Sequence, residues 1–227
     1  PLWTKNMQSL ESLKRKIGSA EDLRSVVSTM KTLAAVSIRQ YETAVDSLTD
    51  YAQTVEDGLR MVLWQSSDTL RSPTVDGGTG AIVFGSDQGM CGQFNEQIVN
   101  YAIGNLRREQ DDGDHSSIVA VGARVAPRLQ DAGFHVEGEL PVASSATGIA
   151  PLVQDLLPKL DAWHSHRRFG RIVLFFNRRQ SASSYHPHQM QLLPVDTKRI
   201  EQLQQSSWTS RTLPTFTMSR SRLFSSL

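Results

Sequence analysis

Apolar residues recur three and four apart from residue 8 to residue 66, and no proline interrupts them. The stripe runs Leu10, Leu13, Ile17, Ala20, then Val27, Met30, Ala34, Ile38, Tyr41, Val45, Leu48, Ala52, Val55, Leu59 and Val62, with Arg24 in the one missing slot. So narrow a seam is that of a coiled coil rather than the broad apolar face of a core helix. It predicts one helix over 8–66, capped at Ser9 or Thr4, passing Gly18 and Gly58 and ending before Ser72-Pro73. At 1.5 Å per residue that helix is about 85 Å long, wider than a small domain. It is therefore expected to project and to pair with another helix.

Beyond the polar, glycine-rich stretch Val75–Gly80, expected to be a linker, the pattern changes to short apolar runs separated by helical periods. The runs 81–84, 117–121, 134–136, 171–176 and 190–195 predict strands. Residues 94–108, 122–132 and 152–164 predict helices. Strands alternating with helices imply a parallel sheet core with helices on its faces. No helix fits between the last two strands, so that pair is expected to be antiparallel. The predicted class is α/β: a long N-terminal coiled-coil helix followed by a Rossmann-like domain with a mixed sheet. The expected divisions are a shaft helix over 1–72, a globular domain over 80–200, and a polar, serine-rich tail over 201–227 with no clear period.

Charge changes this picture little. With 24 basic and 23 acidic residues the net charge is +1, which exerts no overall pull on nucleic acid or acidic lipid. The one cysteine, Cys91, excludes a disulfide within the chain and suggests a reducing compartment. No apolar stretch reaches the length that spans a bilayer, and the first residues do not form a cationic-then-apolar signal, so membrane association is expected through partners.

The chemistry-bearing residues are sparse. Gly85-Ser86-Asp87-Gln88-Gly89-Met90-Cys91-Gly92-Gln93-Phe94-Asn95 lies between a predicted strand and a predicted helix. Glycines there suit a phosphate-cradling loop, but the lysine of a P-loop is absent and the spacing is not GxGxxG. A tight structural turn is the expectation. Cys91 at a helix start suits a nucleophile only with a base nearby, and neither His115 nor His135 is linked to it by spacing. His164, His166, His186 and His188 form two H-x-H pairs. Alternate histidines bind metal on a strand, but these are expected at a helix end and in a proline-containing loop, so no metal site and no cofactor is assigned.

Two segments resemble the gamma subunit of F-type rotary ATP synthases. Val26-Val27-Ser28-Thr29-Met30-Lys31-Thr32-Leu33-Ala34-Ala35-Val36-Ser37-Ile38-Arg39 is similar to that family's I-T-K-A-M-K-M-V-A-A-x-K-L-R. Residues Ser86 to Asn95 are similar to its S-D-R-G-L-C-G-x-F-N. Val27-Ser28 stand where the family has Thr-Lys, and Gln88 where it has arginine. The resemblance implies a non-catalytic shaft inside a ring of alpha and beta subunits. Its globular domain would lie against epsilon and the membrane ring of c subunits, at the cytoplasmic face of a bacterial inner membrane. Rotation would couple ion flow to ATP synthesis or hydrolysis. It implies that Met30, Lys31, Ala34, Ala35 and Ile38 meet a beta subunit, and that Gly85, Ser86, Asp87, Gly89, Cys91, Gly92, Phe94 and Asn95 are a structural signature. It also implies a long C-terminal helix, of which 201–227 would be the beginning. The alternative, from the residues alone, is a small α/β nucleotide-binding enzyme using the 85–95 loop.

Overall fold

A computed structural model describes residues 2–64, 77–109, 116–165, 169–181 and 184–196, with short pieces at 198, 201–203, 217, 219 and 222–223. The expected helix end before Ser72-Pro73, Val75 and Asp76 of the expected linker, and His115 and His166 lie outside the described residues. So does most of the tail. The chain divides into two units, Pro1–Tyr51 and Ala52–Leu227.

Helix α1 spans Leu2–Trp64, 63 residues without a break. Within Pro1–Tyr51 it carries its stripe in solvent: Leu10, Leu13, Ile17, Val27, Ile38, Val45 and Leu48 are each more than half exposed. Its last turns differ, since Gly58, Arg60, Val62 and Leu63 are buried.

The second unit is built on five strands: β1 (Gly78–Phe84), β2 (Ser117–Val121), β3 (His135–Leu140), β4 (Phe169–Arg179) and β5 (Tyr185–Leu193). Their order is β3-β2-β1-β4-β5. The first four run parallel and β5 pairs antiparallel with β4. This is the mixed α/β sheet that the alternation predicts. Helices α2 (Phe94–Glu109) and α3 (Ala126–Asp131) cover one face, and α4 (Ile149–Ser165) covers the other. Strand residues divide between the faces by parity. Ala81, Val83, Ile118, Ala120, Val173 and Phe175 pack under α2 and α3, while Ile82, Val119, Val121 and Ile172 pack with Leu156 and Trp163 of α4.

Several boundaries differ from expectation. β1 begins at Gly78, inside the expected linker. A Cβ on Gly80 would lie 2.6 Å from the Trp163 ring, so the small residues let the strand run against α4. The expected helix 122–132 shortens to Ala126–Asp131, because Gly122 turns with φ +107, at a place where a Cβ would lie 2.8 Å from the Ser86 amide nitrogen. β3 extends to Leu140, with one residue bulged between Val136 and Gly138. That extra residue, Glu137, accepts hydrogen bonds from Ser117 Oγ (2.8 Å) and Trp163 Nε1 (3.1 Å). The bulge also explains why Val136 packs on one face and Leu140 on the other. The expected proline loop around His186 and His188 is strand instead. β5 starts at Tyr185 and includes Pro187, which an edge strand tolerates because its N–H is not needed by an outer neighbour.

Candidate functional site

The order β3-β2-β1-β4-β5 reverses direction between β1 and β4, and in open α/β sheets ligands bind beyond the strand ends at such a switch point. The 85–95 turn leaves β1 there, so its free backbone donors decide whether it can cradle a ligand.

Three of its backbone donors, the Gly85, Ser86 and Phe94 amides, are engaged internally. The Gly85 amide donates to Val121 O at 2.7 Å, and the Ser86 amide to Asn95 Oδ1 at 2.9 Å. Asn95 is buried at the start of α2 and donates from Nδ2 to Ser86 Oγ (2.8 Å) and to Cys91 Sγ (3.1 Å). Ser86 Oγ in turn reaches Gln88 O at 2.7 Å. Phe94 N–H donates to Cys91 O at 3.2 Å. The space is filled as well. A Cβ on Gly85 would meet Val125 Cγ1 at 2.2 Å and Asn95 Oδ1 at 2.7 Å. Gly92 takes φ +58, a conformation side chains rarely adopt, and Gly89 lies against the Arg124 guanidinium.

Asp87 ties this turn to the neighbouring strands. Its two carboxylate oxygens accept the Ala123 amide (2.9 Å) and the Val142 amide (3.0 Å), just beyond β2 and β3. Its carbonyl accepts Arg124 Nε at 3.2 Å, and the Arg124 amide donates to Ser86 O at 3.1 Å. From β4, Asn177 Nδ2 donates to Phe94 O at 2.9 Å, and the Phe94 ring stacks edge-on against Tyr185 of β5 at 5.0 Å. The turn thus fastens the ends of β1, β2, β3 and β4 to the start of α2. Arg124, Val125 and Asn177 complete it. Sequence reading did not single out these three, since Arg124 and Val125 lie in the turn after β2 and Asn177 on β4, and only the topology brings them to the 85–95 segment.

Cys91 is half-buried, and its sulfur touches only Ser86 Oγ, Asn95 Nδ2 and Gln88 O among the described residues. His135 lies on the edge strand β3, and among the described residues no imidazole is hydrogen-bonded to the thiol. Among the described residues no three histidine, cysteine or carboxylate side chains gather as a metal site.

The other candidate residues lie on α1. At about 100° per residue, Met30, Ala34, Ile38, Lys31 and Ala35 fall within an arc of about 140°. Met30 is half-buried and the other four are exposed. The turn thus carries a hydrogen-bond network of its own, and four of these five α1 positions are exposed.

Comparison with known proteins decides the family. A family model described as that of ATP synthase matches residues 9–226. An ATP synthase gamma chain of Cereibacter sphaeroides is 27% identical over 200 residues, covering 83% of this chain and 68% of the relative. The gamma chain of a Jannaschia species is 24% identical over 218 residues, covering 91% and 72%. The chain belongs to the ATP synthase gamma-chain family. A gamma chain from Pelagibacter ubique is 23% identical over 203 residues, covering 86% of this chain and 70% of its own. Among solved structures, a chain of the Tetrahymena thermophila mitochondrial ATP synthase central stalk and c-ring is similar with TM-score 0.49 and 16% identity, covering 79% of this chain and 80% of its own. No described helix is long and apolar enough to cross a membrane.

Proposed function

We propose that this gamma-family chain is the rotor shaft of an F-type ATP synthase, converting ion flow through a membrane ring of c subunits into ATP synthesis or hydrolysis at an alpha/beta ring. The observation that carries the reading is α1: 63 helical residues whose apolar stripe stands in solvent over Leu10–Leu48. Burying a large apolar side chain is worth about 1.5–3 kcal/mol, so a stripe of this length favours a covering partner. In this reading residues 1–72 form the shaft and residues 80–200 the globular part that meets epsilon and the c ring. Met30, Lys31, Ala34, Ala35 and Ile38 meet a beta subunit, the two alanines allowing close approach. The chain then sits peripherally at the cytoplasmic face of a bacterial inner membrane, held there by partners.

The nucleotide-enzyme alternative is disfavoured by the turn itself. The lysine of a P-loop is absent, the Gly85, Ser86 and Phe94 amides already have partners, and Val125 and Asn95 occupy the space beside Gly85. The test is assembly with alpha and beta subunits from the same organism. The chain is expected to enter the ring and raise its ATP turnover, and Ala34→Trp to cut that turnover at least about tenfold while leaving the far-ultraviolet spectrum unchanged. The isolated chain is expected to bind neither ATP nor ADP in calorimetric titration. Failure to enter the ring, or nucleotide binding by the isolated chain, overturns the reading.

A further inference from the structure

One pair of side chains serves neither the shaft nor the turn. His186 and His188 alternate on β5, the sheet's outer strand. Their ring centroids lie 6.3 Å apart at an interplanar angle of 87°. His186 is exposed and His188 half-buried, its ring edge-on to Phe176 at 5.3 Å. Among the described residues no hydrogen bond or ion pair engages either imidazole. Both rings therefore have nitrogen lone pairs to offer.

We propose that His186 and His188 form a two-imidazole surface site for a divalent first-row transition cation, with water at the remaining positions. Metal–nitrogen bonds of about 2.0–2.1 Å set the centroids of two imidazoles on one cation about 4.5–6.5 Å apart, according to the angle at the metal. The observed separation falls inside that range, toward the wide angle. The backbone between the ligands is already stiff. Pro187 fixes its own φ, and a residue preceding proline is confined to extended conformations, which holds His186 in the strand. Little ordering then remains to be done when the cation binds. Neutral nitrogen donors without a carboxylate favour Cu²⁺ over Ni²⁺ and Zn²⁺ and give Mg²⁺ almost nothing. One feature opposes binding: Arg178 of β4 lies directly across from His186, so its positive charge faces the site. Of the second H-x-H pair, His164 lies on α4 and His166 lies outside the described residues.

The test is titration of the full chain with Cu²⁺, Ni²⁺ and Mg²⁺, followed by calorimetry and, for Cu²⁺, by electron paramagnetic resonance. The expected order of affinity is Cu²⁺, then Ni²⁺, with Mg²⁺ not detectable, and the copper spectrum should show coupling to two nitrogens. His186→Ala and His188→Ala should each weaken Cu²⁺ binding at least about tenfold, since even loss of an outer-shell partner costs that much. His188→Gln, which keeps a polar side chain against Phe176, should do the same, so a packing defect is separated from loss of a ligand. Arg178→Ala should tighten binding, and His135→Ala on the opposite sheet edge should leave it within about twofold. Unchanged affinity in either His188 variant or in His186→Ala, coupling to a single nitrogen, or Mg²⁺ binding as tight as Cu²⁺ overturns the proposal.

Discussion

At the scale of single residues, the 85–95 turn separates one indispensable side chain from one that is replaceable. Asn95 is buried and satisfies the Ser86 amide while holding Ser86 Oγ and Cys91 Sγ. Asn95→Ala leaves the half-buried Ser86 amide without this partner, and a fully buried unsatisfied group would cost about 1–3 kcal/mol, so a loss of about 1 kcal/mol is expected. Cys91 contributes a weak sulfur acceptor and donor that a hydroxyl reproduces. Cys91→Ser is therefore expected to shift stability by less than about 0.5 kcal/mol, as substitutions outside the disruptive mechanisms do. Urea unfolding of the two variants checks both expectations. A Cys91→Ser loss as large as that of Asn95→Ala would show that the thiol carries structure the geometry does not reveal.

At the scale of elements, α1 is long but not strongly helical by itself. Thr29, Thr32, Thr43, Ser47 and Thr49 turn their hydroxyls back to the carbonyl four residues earlier, a bond that slightly destabilises and bends helices. Gly18 adds a further weak point, and a Cβ built there meets nothing within 4 Å. Gly18→Ala is thus free of steric cost and gains about 1 kcal/mol of helix propensity. Amides flanking residue 18 should exchange about fivefold more slowly in Gly18→Ala, as that free energy implies. Equal or faster exchange would mean that the glycine is held by something other than its own helix.

The elements also show which parts of the fold can be read from order alone. The buried runs of β1, β2 and β4 stand out as unbroken apolar stretches because both faces of a central parallel strand are covered. The edges do not. β3 alternates valine and leucine with two glutamates, and β5 holds a proline and two histidines, a composition that reads equally well as loop. Their strand character comes from pairing with β2 and β4, a non-local fact. The turn shows the same limit. Its glycines and Asn95 signal a tight corner, whereas Arg124, Val125 and Asn177 join it from positions 29 to 82 residues beyond Asn95, counted from the numbering. His186 and His188 became a candidate site only once the segment proved to be strand.

At the scale of the molecule, the two units differ in what stabilises them. Most residues of β1 and all of β2 are buried, as are Phe169, Ile172, Val173 and Phe175 of β4, with Ala81, Val83, Ile118 and Val173 at 0% exposure. Residues 10–51 of α1 have no comparable burial, and Leu33, at 65% exposure, typifies their apolar positions. A helix that gains little from packing is held mainly by local propensity, and its amides open at small free energies. Hydrogen exchange of the isolated chain should therefore be fast over residues 10–51 and slow over β1, β2 and β4. If the proposed shaft role is correct, adding alpha and beta subunits should slow exchange over 10–51 and leave the three strands unchanged, since only the exposed stripe acquires new burial. Ile38→Asp places a charge in that stripe, where burying it unpaired is costly. It should abolish the added protection without altering exchange in the strands. Protection of 10–51 equal to that of the sheet in a dilute monomeric sample would mean that another part of the chain already covers the stripe. In that case α1 would be an internal packing element rather than a surface awaiting a partner.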